Sequence, residues 1–158
     1  MVGIEVSHPA IHFRRRAATT GIILHATHTE RGQGKLLAFL AANGRRMGLL
    51  EIGYHFVIQE GGQITECRPH DTTGSHHRPS NPTTIGVALA GGLLDGAPAD
   101  TFDTDQKDAL RFLCVYLAQF YGELPLLGHS ERSPHRALRQ CPPTDMEKLR
   151  TWTKTHRS

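Results

Sequence analysis

A chain of 158 residues, 38% hydrophobic and 21% charged, suits one soluble globular domain that buries roughly two-thirds of the surface its unfolded form exposes. No apolar run approaches the length of a membrane-spanning helix. A net charge of +3, a pI near 9.0 and eleven histidines favour an anionic partner, either nucleic acid or a bacterial wall polymer.

In chain order, residues 2–6, VGIEV, alternate weakly and read as an edge strand. Arg14 to Arg16 is the only dense basic run and reads as a solvated surface turn. Without zinc-finger spacing, an RNP-like aromatic string or a basic amphipathic helix, nucleic-acid binding is excluded as the main reading. The arginines follow an alternating stretch instead of preceding an apolar run, so the N-terminus is not a signal peptide and synthesis in the cytoplasm is expected.

Gly21 opens IILHAT, a β-branched apolar run of strand length that predicts a buried central strand with His25 at its C-terminal end. Ligands collect at such ends in open α/β sheets. A helix is predicted from Gly34 to Met47, with Leu36, Leu37, Phe39 and Leu40 as its core stripe. GYHFVIQEGGQITECRP predicts a β-hairpin turning at Gly61 and Gly62, in which Tyr54, Phe56 and Ile58 share one face and His55 and Val57 the other. Tyr54 and His55 are therefore not expected to face one small site.

The polar loop PHDTTGSHHRPSNPTT, ahead of the short strand IGVALAGG, is a plausible cleft rim, with His77 read as a surface histidine. Thr104 is the expected N-cap of a long core helix with Leu110, Leu113, Cys114, Leu117, Phe120 and Tyr121 in register, ended by Gly122. The last helix is expected to open on a capping box from Thr144 to Glu147 and to bury Met146, Leu149 and Trp152, with TKTHRS as a frayed tail. The result is an α/β fold: a single domain with a mixed central β-sheet, flanked by helices with one layer of core on each side. No linker or repeat marks a second domain, so residues 1–158 are expected to form a single domain.

Three cysteines at unrelated spacings do not form a disulfide framework, and Cys67 and Cys114 sit in structural settings. Cys141 is different. It ends a polar loop that starts at His129, and His25 can complete a His/His/Cys set with a fourth position open to water. That donor set describes a catalytic zinc site better than a closed structural one.

Five segments in this order, GIILHATHT, GYHFVI, TGSHH with NPTTIGVALAGG, GHSE and CPPTD, resemble the zinc-dependent N-acetylmuramoyl-L-alanine amidases. That group includes the phage amidase-type lysozymes and shares its fold with the peptidoglycan recognition proteins. The resemblance runs from about Gly21 to Trp152. It implies a Zn²⁺ ion held by His25, His129 and Cys141, an active-site tyrosine at Tyr54, and Arg139 where the family has a lysine. Because the loop looks longer here, Arg136 competes with Arg139 for that position. His76 and Asn81 are expected cleft-rim contacts to substrate.

The implied reaction cuts the amide between the lactyl group of N-acetylmuramic acid and L-alanine in peptidoglycan. Zinc would polarise the carbonyl and activate water, Arg139 would hold the oxyanion, and Tyr54 would orient water or donate a hydrogen bond. A monomeric phage-type endolysin acting on the wall is the expected setting. The alternatives are a muropeptide-recycling amidase, a non-catalytic wall-binding receptor, and a cysteine amidohydrolase with Cys141 as nucleophile.

Overall fold

The computed structural model describes residues 3–49, 51–133 and 140–155. β1 (Ile4–Val6) leads to β2 (Gly21–Ala26), which is buried at every position. α1 (Leu36–Arg46) follows, then the hairpin of β3 (Phe56–Ile58) and β4 (Ile64–Glu66), closed by a 3₁₀ turn over Glu60–Gly62. β5 (Thr84–Leu89) precedes a short ribbon of β6 (Leu93–Leu94) and β7 (Ala97–Pro98). α2 (Thr104–Tyr121), β8 (Leu126–Gly128), the single turn α3 (His129–Arg132) and α4 (Met146–Thr155) complete the chain.

The main sheet runs β1-β4-β3-β5-β2-β8, and only the β3/β4 pair is antiparallel. Its inner strands are continuous apolar runs because both faces are covered. Ile22, Leu24, Phe56, Ile58, Ile85 and Val87 point towards α2 and α4 and form the larger core. Val57 and Ala90 lie on the other face with Leu36 and Leu40 of α1. This is the expected mixed sheet with a layer of core on each side.

Several local expectations are corrected. Asp103, not Thr104, caps α2: its Oδ1 accepts from Gln106 N at 2.7 Å, while Gln106 Oε1 accepts from Asp103 N at 3.0 Å. At α4 the cap is Asp145, whose Oδ1 accepts from Lys148 N. Thr144 is unavailable for a capping box because its hydroxyl donates to Asp100 at 2.7 Å. Phe39 and Phe120, placed in core stripes by periodicity, are 38% and 54% exposed. α1 buries only Leu36, Leu40 and Gly44, and in the last turn of α2 Tyr121 packs against the core while Phe120 turns outward onto His70, with ring centroids 4.7 Å apart. Arg16 is not a solvated turn residue: its guanidinium donates to the carbonyls of His70 and Thr72, at 2.6 Å each, because the incoming chain runs along the loop that precedes β5. α4 also continues through Thr155 and buries Thr153, so residues 153–155 are helix where a frayed tail was expected.

Gln106 is the polar rivet of the larger core. It is fully buried, and its Nε2 donates to the carbonyls of Ile58 at 3.1 Å and Ala90 at 2.9 Å, joining the start of α2 to the ends of β3 and β5. Gln106→Ala strands the buried carbonyl of Ala90, takes one of two donors from Ile58 O, which keeps Ala90 N, and removes half of the capping box. A buried orphan costs about 1–3 kcal/mol and a weakened cap about 1 kcal/mol, so the unfolding free energy in denaturant titrations is expected to fall by about 3 kcal/mol. A loss below about 1 kcal/mol would contradict this account.

Candidate functional site

β2, β8 and β5 are parallel and end together, and the site lies beyond their C-terminal ends. Side chains alternate along β2, so with Leu24 and Ala26 in the larger core, His25 points to the α1 face. β8 runs into α3, which places His129 at the first position of the turn. Cys141 is tied to both: Ser130 N donates to Cys141 O at 2.8 Å, Cys141 N donates to Ser130 Oγ, and Ala26 N donates to Cys141 Sγ at 3.4 Å.

These bonds bring one ligand atom each from His25, His129 and Cys141 to within 4.8 Å of one another. Two imidazoles and a thiol suit a borderline-soft divalent cation such as zinc. Burial, then the neighbouring His76 and His129, holds the pKa of His25 well below 6.5, and burial also lowers that of His129. Both rings are thus neutral near pH 7 and present lone pairs, the state a ligand requires.

The cluster lines an open cleft of about 270 Å³, together with Asn43 of α1 and Met47, which caps that helix. Tyr54 stands in the cleft with its ring 5.1 Å from that of His25. Burial, reinforced by Cys141, raises its phenol pKa well above 10, so it stays protonated. The predicted face of Tyr54 is wrong. Tyr54 packs with Val57, not Phe56, because the regular strand begins only at Phe56 and the bend before it turns Tyr54 onto the α1 face. His55 is on that face too, yet fully buried beneath the site and absent from the cleft lining.

His76 and Asn81 both lie beside the cluster. His76 Nδ1 is 2.9 Å from His25 Nε2, and Asn81 Oδ1 accepts from the backbone N–H groups of His76 and His77 at 3.0 and 2.9 Å. His77 is no surface histidine: it is 6% exposed and bonded to Ser80 and Ser133, because α3 covers it. Arg136 and Arg139 lie outside the described residues. The sequence reading missed Gly86 and Thr84, which seat His76. A lone glycine inside a β-branched strand, as in TIGVAL, is the available signal, since it marks close approach of another group.

His55 gives the fold a pH dependence. Its Nδ1 accepts from Gly86 N at 3.0 Å and its Nε2 donates to Thr72 O at 2.7 Å, an arrangement open only to the neutral ring. Burial, then His76, holds its pKa well below 6.5, whereas the unfolded chain takes up that proton near 6.5. Below that pH the unfolded state binds one proton more, so stability falls with pH by about 1.4 kcal/mol per unit for this group. Unfolding free energies measured from pH 6.5 downwards should show this decline, with a shallower slope in His55→Gln. An unchanged slope in that variant would refute the assignment.

The N-acetylmuramoyl-L-alanine amidase family Amidase_2 matches residues 15–144. The chain is 32% identical over 145 residues to the endolysin of Klebsiella phage KP32, covering 91% of this chain and 92% of the relative. The endolysin of Escherichia phage T7 is similar at the same identity and coverage. Among solved structures, the N-acetylmuramoyl-L-alanine amidase LysC from Clostridium intestinale superposes with a TM-score of 0.73 at 21% identity, over 93% of this chain and 95% of LysC. That likeness carries the fold, while the sequence matches carry the ancestry: the chain belongs to the N-acetylmuramoyl-L-alanine amidase family.

Proposed function

We propose that this chain is a zinc-dependent N-acetylmuramoyl-L-alanine amidase. It would hydrolyse the amide between the lactyl group of N-acetylmuramic acid and L-alanine in peptidoglycan, as a monomeric phage-type endolysin. The observation that carries the reading is the convergence of the His25, His129 and Cys141 donor atoms within 4.8 Å in the wall of an open cleft. The 32% identity to two phage endolysins over nine-tenths of the chain supports the lytic setting.

Zinc bound at these three residues supplies a Lewis acid and a water whose pKa is drawn towards neutrality. The protein's own groups do the rest. His25 and His129, kept neutral by burial, hold their lone pairs on the ligand side. Tyr54 keeps its proton and donates a hydrogen bond to the scissile carbonyl oxygen as negative charge grows there. Arg139 is proposed to add a fixed positive charge at that oxygen. The cleft receives the substrate and brings the scissile bond beside the cluster.

The test is digestion of purified peptidoglycan, followed by mass spectrometry, with protein as purified, after chelation, and with zinc restored. The expected products are new lactyl carboxylates and free L-alanine amino termini, lost on chelation and regained with zinc. Cleavage that survives chelation but disappears in Cys141→Ser would replace the metal reading with a thiol hydrolase. Binding without cleavage would indicate a receptor, and cleavage of soluble muropeptides alone would indicate a recycling enzyme.

A further inference from the structure

We infer that His76 is a positioning residue that sets the tautomer of His25, and that its neighbour His77 anchors the turn carrying His129. The inference rests on reading His25, His129 and Cys141 as metal ligands.

Thr84 Oγ1 donates to the carbonyl of Ser80 at 2.8 Å, so its single hydrogen is spent. Its oxygen therefore accepts from His76 Nε2, 3.5 Å away, which places the His76 proton on Nε2 and a lone pair on Nδ1. That Nδ1, 2.9 Å from His25 Nε2, accepts from it. A neutral His25 with its proton on Nε2 keeps its lone pair on Nδ1, free for a cation. Metal-binding imidazoles need their second nitrogen occupied in this way, usually by a carboxylate or carbonyl. A neutral imidazole does the same work without adding a charge to a buried site.

The surroundings hold His76 in place. Gly86 makes room for the ring: a Cβ there would lie 2.4–2.8 Å from three of its atoms. Asn81 Oδ1 takes the backbone N–H of both His76 and His77, so the pair moves as one. His77 then reaches the other ligand's segment, its Nε2 lying 2.6 Å from Ser133 Oγ, while Ser133 N donates to His129 O at 3.1 Å. The His76–His77 doublet thus joins the strand end bearing His25 to the turn bearing His129.

The test uses the full chain, stripped by chelation and titrated with Zn²⁺ against a chromophoric chelator and with Co²⁺ by its visible absorption. Wild type is compared with His76→Leu and His76→Asn, because an asparagine amide lies about where Nδ1 does and a leucine offers no partner. His76→Leu is expected to weaken Zn²⁺ binding about 10–100-fold and to alter the Co²⁺ bands, with most of the loss recovered in His76→Asn. Melting of the stripped proteins reports whether each is folded. If His76→Leu does not fold, Thr84→Val, close to isosteric, removes the acceptor behind His76 and is expected to weaken binding in the same direction. Wild-type affinity in His76→Leu, or equal losses in the leucine and asparagine variants, would overturn the positioning role. A wild-type chain that binds neither metal would overturn the ligand reading beneath it.

Discussion

Cys141→Ser and His25→Ala should each lower cleavage of peptidoglycan at least about 10³-fold, equivalent to about 4 kcal/mol of transition-state stabilisation. The reason is geometric. Three donors would give a cation three bonds, with a fourth position proposed for water, and removing one would leave two donors that hold it poorly. Bound metal should fall from about one per chain to near zero in both variants, as measured by elemental analysis. Cys141→Ser is the cleaner test, since serine fills nearly the same buried volume and can still accept from Ala26 N. Its fold, followed by circular dichroism, should be retained. Normal cleavage by a chain that has lost its metal would end the metalloenzyme reading.

Tyr54→Phe is expected to reduce kcat about 10²-fold while leaving metal content unchanged. Loss of one aimed donor to a developing oxyanion costs about 2.7–4 kcal/mol where the site is dry, and somewhat less in a half-open cleft such as this one. The raised phenol pKa favours one of two roles. A group that remains protonated across the working range cannot act as a general base, so the role proposed for Tyr54 is that of a donor. The wild-type pH–rate profile should therefore carry no alkaline limb assignable to Tyr54, and the profile of Tyr54→Phe should be lower but unchanged in shape. A change in its limbs would assign Tyr54 to proton transfer instead.

Where the sequence reading failed locally, competing partners explain it. Thr144 has the right type and spacing for a cap, but Asp100, 44 residues away in the chain, takes its hydroxyl. Phe39 and Phe120 obey helical periodicity, yet whether a helix position is covered depends on how far the opposing sheet extends. His77 reads as a surface residue until α3 folds over it.

Residue type and order alone were enough for the apolar parallel strands, the hairpin, both long helices and the three candidate ligands. Each of these depends on local periodicity, turn chemistry or donor chemistry, which a linear chain displays. Only the tertiary structure decided that Tyr54 turns onto the α1 face, that His55 lies sealed beneath the site, and that His76 bonds His25 while His77 reaches the His129 turn. Those relations join residues some 50 positions apart, through hydrogen bonds whose direction depends on which group has already spent its proton. Sequence spacing does not encode that accounting, and it becomes readable only once β2, β5 and β8 bring their C-terminal ends together.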